Sequence, residues 1–298
     1  MLPSLYSGIS GLRANQQKLN VVANNIANSS TTGFKTQSMN FEDMISQNLS
    51  DPSAPVNGGI GGVNGKQSGL GVKVGGISTD FTNGSMQSTN RNLDFALDGT
   101  GYFVVSPNGG TDDYYTRDGA FVLDKDGSLL TQDGYHVMGY TGTDNTTEQP
   151  KEPLSINQYY KLISTGPPVV VEGSNDGDPG DKVSSFSVGK DGAITVKVAN
   201  GNSYTVVQIA LASFQNEGGL VKMGGNLYKT SPNSGDATYG TSGSGSFGDI
   251  NQGMLEMSNV DLAQQFTDMI IAERAFQANG KIISTDDEVL QDLVNLKR

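Results

Sequence analysis

The residues able to act chemically on a ligand are few and poorly spaced. Gly61-Gly62-Val63-Asn64-Gly65-Lys66-Gln67 is arranged like a phosphate-cradling loop, but Ile60 stands where that loop needs glycine and Gln67 where it needs a hydroxyl. Asp124-Lys125-Asp126-Gly127-Ser128 sets two acids at calcium-loop spacing, yet its glycine comes early and the distal glutamate is missing. Asn175-Asp176-Gly177-Asp178-Pro179-Gly180-Asp181 reads as a solvated acidic loop. His136 is the single histidine, in a strand-like Tyr135-His136-Val137-Met138 run that leaves it at the surface or half-buried. Arg117-Asp118 reads as a turn pair, with an interface role as the alternative. The absence of cysteine removes thiolate metal sites, disulfides and cysteine nucleophiles together, and one histidine leaves little room for a Ser-His-Asp triad. No catalytic, cofactor or metal residue is assigned, and the chain is not read as an enzyme. Paired carboxylates keep one remote alternative open, a secreted glycan-binding or glycan-acting β protein.

Composition narrows the classes further. The chain has 298 residues, 40 of them glycine, with 35% hydrophobic and 17% charged residues and no tryptophan. Such a chain has room for two domains and reads as a sparse, turn-rich β body. A net charge of -12 argues against binding nucleic acid through phosphate neutralisation. No apolar run is long enough to insert into a membrane, and Met1-Leu2-Pro3-Ser4-Leu5-Tyr6 lacks the basic start of a cleaved signal peptide.

The ends differ from the middle. Taking residues 1–28 as a helix, Leu5, Leu12, Leu19 and Ile26 recur every seven residues, with Leu2, Ile9 and Ala23 as a companion row, the seam of a coiled coil. Pro3 falls in the tolerated first turn, and the polar run from Asn24 to Gly33 ends the helix. Gly8 and Gly11 each weaken it by up to about 1 kcal/mol. At the other end Ser258-Asn259-Val260-Asp261 reads as a capping box. Over 259–298, Leu262, Met269, Phe276, Ile283 and Leu290 repeat the seven-residue spacing, joined by Phe266, Ala272, Leu293 and Val294. Two seams at opposite ends of one chain are most simply buried against each other, then against copies of themselves, which predicts a polymer. Helices this marginal alone are expected to order only when neighbours cover their stripes.

Between them the period changes. Residues 29–90 read as an extended, glycine-rich connection with a little strand at Gly71-Val72-Lys73-Val74. From about 91 to 230 the period is two, in Leu93–Leu97, Tyr102–Val105, Tyr114–Arg117, Phe121–Leu123, Phe186–Val188, Ala193–Val198, Tyr204–Leu211 and Leu227-Tyr228. Asp126-Gly127, Asp133-Gly134, Lys190-Asp191-Gly192 and Ala199-Asn200-Gly201 mark the turns, and residues 143–182 are irregular. Residues 231–258 read as a return linker, with a flexible Ser231–Gly248. The predicted class is α+β: terminal helices (1–28 with 259–298) pairing like a coiled coil, a mostly antiparallel β body, and extended glycine-rich linkers.

Three groups of motifs then resemble a known family. Ser7-Gly8-Ile9-Ser10-Gly11-Leu12, Asn24-Asn25-Ile26-Ala27-Asn28 and Thr32-Gly33-Phe34-Lys35 are similar to the N-terminal signature of the bacterial flagellar rod and hook proteins. Gly253-Met254-Leu255-Glu256, Ser258-Asn259-Val260-Asp261-Leu262 and Glu273-Arg274-Ala275-Phe276-Gln277-Ala278-Asn279 resemble its C-terminal partner. Leu97-Asp98-Gly99 with Gly101-Tyr102-Phe103 is similar to the entry of the family's β domain. The opening residues Met1 to Gly11 resemble hook members of the compact Gram-positive type; distal rod members carry nearly the same motifs, and residues 143–182 are too few for the outer domain of the larger hook proteins.

The resemblance implies a subunit that polymerises helically into a short curved tube, a universal joint passing motor torque to the filament, with the distal rod as the alternative location. It implies terminal helices lining the tube and the β body outside. Partners would be copies of itself, the distal rod, the hook cap, the hook–filament junction proteins and the flagellar type III export apparatus. Export without signal cleavage suits a cysteine-free chain. The glycine-rich segments 57–76 and 231–248 would be either compliant connections in a bending joint or plain surface loops.

Overall fold

The computed structural model describes residues 2–55, 61–110, 112–125, 127–141, 152–155, 183–198 and 203–296. The chain forms two compact units: Met1–Ser29, Thr36–Asp80 and Val260–Arg298 make the first, Ser30–Lys35 and Phe81–Asn259 the second.

The first unit is helical with a strand annex. Helix α1 (Leu2–Ala27) runs antiparallel to the longer α2 (Leu262–Leu296). Helix α1 stops where expected: Asn28 turns back to donate both its backbone N–H and its side-chain amide to the Asn24 carbonyl, closing the last turn. Helix α2 begins differently from the predicted capping box. Asp261 is the cap, its Oδ1 accepting the Ala263 N–H at 2.9 Å and the Gln264 N–H at 3.3 Å, while Ser258 Oγ is buried without a partner. The helix starts at residue 262, so only residue 261 is near enough to its free amides.

Beside the helices, strand Gln37–Asp43 pairs with Val72–Thr79, and Ser46–Ser50 with Lys66–Gly69. Residues 29–90, expected to be an extended connection with a little strand, carry more strand than that, at Gln37–Asp43, Ser46–Ser50, Lys66–Gly69, Val72–Thr79 and Met86–Ser88, and Thr36–Asp80 groups with the helices. Glycine does not prevent pairing here, because an extended backbone still has amides and carbonyls to satisfy.

The second unit is the β body; among the described residues its main sheet has twelve strands, all pairing antiparallel. Strand Ser203–Ser213 is central, bonded to Ala193–Val198, His136–Thr141, Tyr102–Ser106 and Thr238–Thr241. The two-residue period gives this sheet two buried faces. Phe103, Val105, Ile209 and Leu211 pack in one core, and their neighbours Tyr102, Val104, Ala210 and Ala212 in another. Turns at Asp133-Gly134 and Lys190-Asp191-Gly192 join paired strands as predicted. The irregular 143–182 stretch, apart from residues 152–155, and the turns at Asp126 and Asn200-Gly201 lie outside the described residues.

The return segment 231–258 is not a loose linker. Strand Thr238–Thr241 lies on the central strand, and Ser242 is buried, donating to the Lys190 carbonyl and accepting the Ile250 N–H at 3.0 Å. Strands Asp249–Gln252 and Met254–Glu256 then pair with Phe95–Asp98 and Met86–Ser88. Short hydroxyl side chains here close backbone hydrogen bonds, which fixes a segment whose composition reads as flexible.

Candidate self-assembly surface

The face on which α1 meets α2 is small and polar. Ser4 Oγ donates to Asp286 Oδ2 at 2.7 Å, Lys18 pairs with Asp268 at 3.5 Å, and the Asn25 amide donates to Gln265 Oε1 at 3.0 Å. Between them a Cβ on Gly11 would lie 2.8 Å from Asn279 Nδ2, and one on Gly8 3.3 Å from Ile283. Ser4, Gly11, Lys18 and Asn25 recur every seven residues, as do Gln265, Ala272, Asn279 and Asp286. Most members of these rows are polar or glycine, with Ala272 and the neighbouring Ile283 shared with the apolar spacing. Gly8 and Gly11, read as weak points, face Ile283 and Asn279 of the other helix with little or no room for a Cβ.

Asn25 is wholly buried and ties this seam to the strands. Its amide donates to the Gln37 carbonyl at 2.7 Å, and its Oδ1 accepts the Gln37 N–H at 3.0 Å.

The predicted apolar stripes therefore lie beside this contact. Leu5, Leu12, Leu19 and Ile26 are half-buried on α1, as are Met269, Ile283 and Leu290 on α2. Ile9, Leu262, Phe266, Phe276 and Leu293 are exposed, and Ile270 and Ile271 join them at 56% exposure each. A surface helix normally turns such side chains inward, so the pair carries apolar surface beyond what its own chain covers.

The second unit holds a buried charge cluster at its chain entry and exit. Lys35 Nζ meets Glu256 Oε1 at 2.7 Å and donates to the Thr82 carbonyl at 2.8 Å. Arg117 approaches Glu256 Oε2 at 3.4 Å and stacks 5.1 Å above the Tyr102 ring. The Gly84 N–H reaches Oε1 at 3.0 Å, and Gly33 N–H donates to the Glu256 backbone carbonyl at 2.9 Å. Burial holds the Lys35 ammonium below the usual lysine value, even with Glu256 beside it. Arg117, read as half of a turn pair with an interface role as the alternative, is internal; its neighbour Asp118 accepts from Thr32 Oγ1 at 2.9 Å. A guanidinium with a carboxylate and an aromatic face beside it is held inside, which the Arg-Asp dipeptide alone did not reveal.

The remaining motif residues are local fasteners. Gly33 has φ +66 and passes 2.8 Å, at its would-be Cβ, from the Asp118 nitrogen. Phe34 is buried under Lys222, whose Nζ lies 4.7 Å from the ring centre. Asn259 donates to the Thr82 carbonyl at 3.1 Å, Asn24 receives Asn28, and the exposed Arg274 donates to Gln277 at 3.2 Å. Glu256, Gln265, Asn279 and Asp286 make contacts that the apolar pattern does not single out. The signal available for them was a single acid inside Met254-Leu255-Glu256-Met257, and a polar heptad alongside the apolar one. His136 is half-buried in its strand. Among the described residues no group of three acids, cysteines or histidines is arranged to hold a metal, and no helix is long and apolar enough to cross a membrane.

Three family descriptions match these same segments: "Flagella basal body rod protein" over residues 5–35, "Flagellar hook protein FlgE/F/G D1 domain" over 96–196, and "Flagellar basal body rod FlgEFG protein C-terminal" over 251–296. Over its whole length the chain is 44% identical to the flagellar basal-body rod protein FlgG of Bacillus subtilis, covering 100% of both. The chain belongs to the flagellar rod and hook protein family. Among hook members, FlgE of Borreliella burgdorferi is 30% identical over 444 residues with both chains covered at 100%, and FlgE of Salmonella typhimurium 27% over 423 with 99% and 100% covered. Both of these hook relatives are longer, and the present chain is the compact form. The two terminal matches take in most of both helices together with Lys35 and Glu256, while Arg117 falls within the D1 match.

Proposed function

We propose that this chain is a structural, non-enzymatic subunit of the flagellar hook, polymerising helically into a curved tube that transmits torque to the filament. The observation that carries the reading is the helix pair itself: closed internally by a polar seam, it leaves Leu262, Phe266, Ile270, Phe276 and Leu293 uncovered. Fully burying such a side chain is worth about 1.5–3 kcal/mol; these are 36–56% exposed, so each contributes part of that, and contacts with several neighbouring copies together offset the cost of association. Contacts that do not close on themselves give open helical polymers. In this reading the terminal helices form the inner layer of the tube and the β body the outer. The distal rod, hook cap and hook–filament junction proteins are its neighbours, and the flagellar type III apparatus exports it.

A second reading, the distal rod, is favoured by one specific observation: the 44% identity with a rod protein extends over both chains with no added segment. Negative-stain microscopy of the full chain separates all three cases. Curved, compliant tubes support the hook and straight, stiff ones the rod. Particles that never elongate, or tubes that still form without residues 1–28 or 259–298, overturn both.

A further inference from the structure

We propose that the last turns of α2 dock into an apolar groove beside α1 of a second copy of this chain, giving a head-to-tail contact. This rests on the polymer reading above and names one of its joints. The groove lies within the helical unit, holds about 750 Å³, and is walled by Ile9, Arg13 and Ala14 of α1 with Met44, Leu70 and Val72 of the strand annex. That volume is typical of a preformed binding cleft. Ile9 and Met44 are exposed in it at 39% and 42%.

The occupant follows from the register of the helices. Ser4 meets Asp286, and α1 starts at Leu2, so α2 runs past it from about residue 290 to Leu296, roughly 10 Å at 1.5 Å per residue. Residues 291–296 are all exposed. Val289, Leu293 and Leu296 fall at helical spacing along one stripe, with Val294 beside them at 68% exposure. These turns project beyond the start of α1, whereas the groove opens along the part of α1 from Tyr6 to Gln17. The overhang therefore reaches a neighbour's groove rather than its own.

Charge agrees with this pairing. Asp287, Glu288 and Asp292 flank the apolar stripe, and Arg13 on the groove is in no ion pair among the described residues. Groove and overhang are different surfaces, so the contact is heterologous and propagates instead of closing.

The absence of cysteine makes the test direct. A full-length chain carrying Met44→Cys is mixed with one carrying Val294→Cys and oxidised. The disulfide-linked product containing both chains is expected at ten times or more the yield obtained with Leu49→Cys, an exposed position outside the groove. Adding Arg13→Glu to the Met44→Cys chain should cut that yield several-fold. Yield no higher than the Leu49→Cys background overturns the docking. The cross-link is read whether or not tubes form, so a strong cross-link without tubes would keep this joint and sink the tube reading, and tubes without the cross-link would do the reverse.

Discussion

Lys35 Nζ and Glu256 Oε1 lie 2.7 Å apart across 221 residues of sequence, both side chains closed off from water. One residue ends the short segment that enters the β body, and the other closes the last strand before the chain leaves it. Arg117 adds a second cation, so a single carboxylate balances two buried positive groups.

That imbalance sets the first prediction. Glu256→Gln leaves Lys35 and Arg117 without a counter-charge and is expected to destabilise the β body by about 3–5 kcal/mol. Lys35→Met should cost clearly less, because Glu256 keeps Arg117 and the Gly84 N–H. Urea unfolding followed by tyrosine fluorescence reads this unit, since every described tyrosine but Tyr6 lies in it. Equal losses for the two variants would refute the account.

Gly33→Ala should be severe for its size. The left-handed backbone alone costs about 1–2 kcal/mol with a Cβ, and that Cβ meets backbone atoms of Arg117 and Asp118 at 2.9 and 2.8 Å. The same urea titration should place this variant at least 2 kcal/mol, by that ~1–2 kcal/mol strain plus the clash, below the parent.

The helix contact predicts coupling. Alanine at Gly11 should gain up to about 1 kcal/mol of helix propensity, but its Cβ must push aside the Asn279 amide. In an Asn279→Ala background that obstacle is gone. Thermal unfolding followed by helical circular dichroism should give an interaction energy of about 0.5 kcal/mol or more for the pair; simple additivity would show that the helices do not meet there.

Asp118 predicts a pH dependence of definite sign. Burial raises its carboxyl above the ordinary value against the hydrogen bonds from Thr32 and Ala120. A raised carboxyl favours the folded state at low pH, and that contribution is lost as pH rises through the folded-state value. Asp118→Asn keeps an acceptor for both donors. It should match the parent within about 1 kcal/mol at pH 7, and the parent should gain on it as pH falls towards 4. A gap independent of pH would contradict this.

Alkali probes the sheet. Burial pushes the Tyr115, Tyr140 and Tyr228 phenols up to about 12, against about 10 in an unfolded chain. The β body is expected to lose stability as pH rises from about 10 through 12, each phenol contributing a loss of about 1.4 kcal/mol for every pH unit climbed in that interval. Ultraviolet titration compared with the single variants Tyr115→Phe, Tyr140→Phe and Tyr228→Phe should show these three ionising late and together with unfolding; ionisation of these three near pH 10 in folded protein would overturn the assignment.

What depends on neighbours along the chain was legible before any fold was known. Seven-residue spacing fixed two terminal helices, and two-residue spacing fixed strands such as Tyr102–Ser106 and Ser203–Ser213, because periodicity reports which faces are buried. The motif resemblance reached the family from both ends. Which face of each helix is used within the chain emerged only once the elements were packed. Hydrophobicity marked Leu5, Leu12 and Phe276, while the contact fell on Gly11, Lys18, Asn25, Gln265 and Asn279. Close approach and hydrogen-bond complementarity belong to pairs of residues, so the polar rows on either segment alone do not say that they meet. The same reason hid the Lys35–Glu256–Arg117 cluster, whose members are ordinary charges until the fold removes water from around them. It also hid the packing of residues 36–80 and 238–256, where glycine and serine composition suggested slack and backbone pairing supplied order.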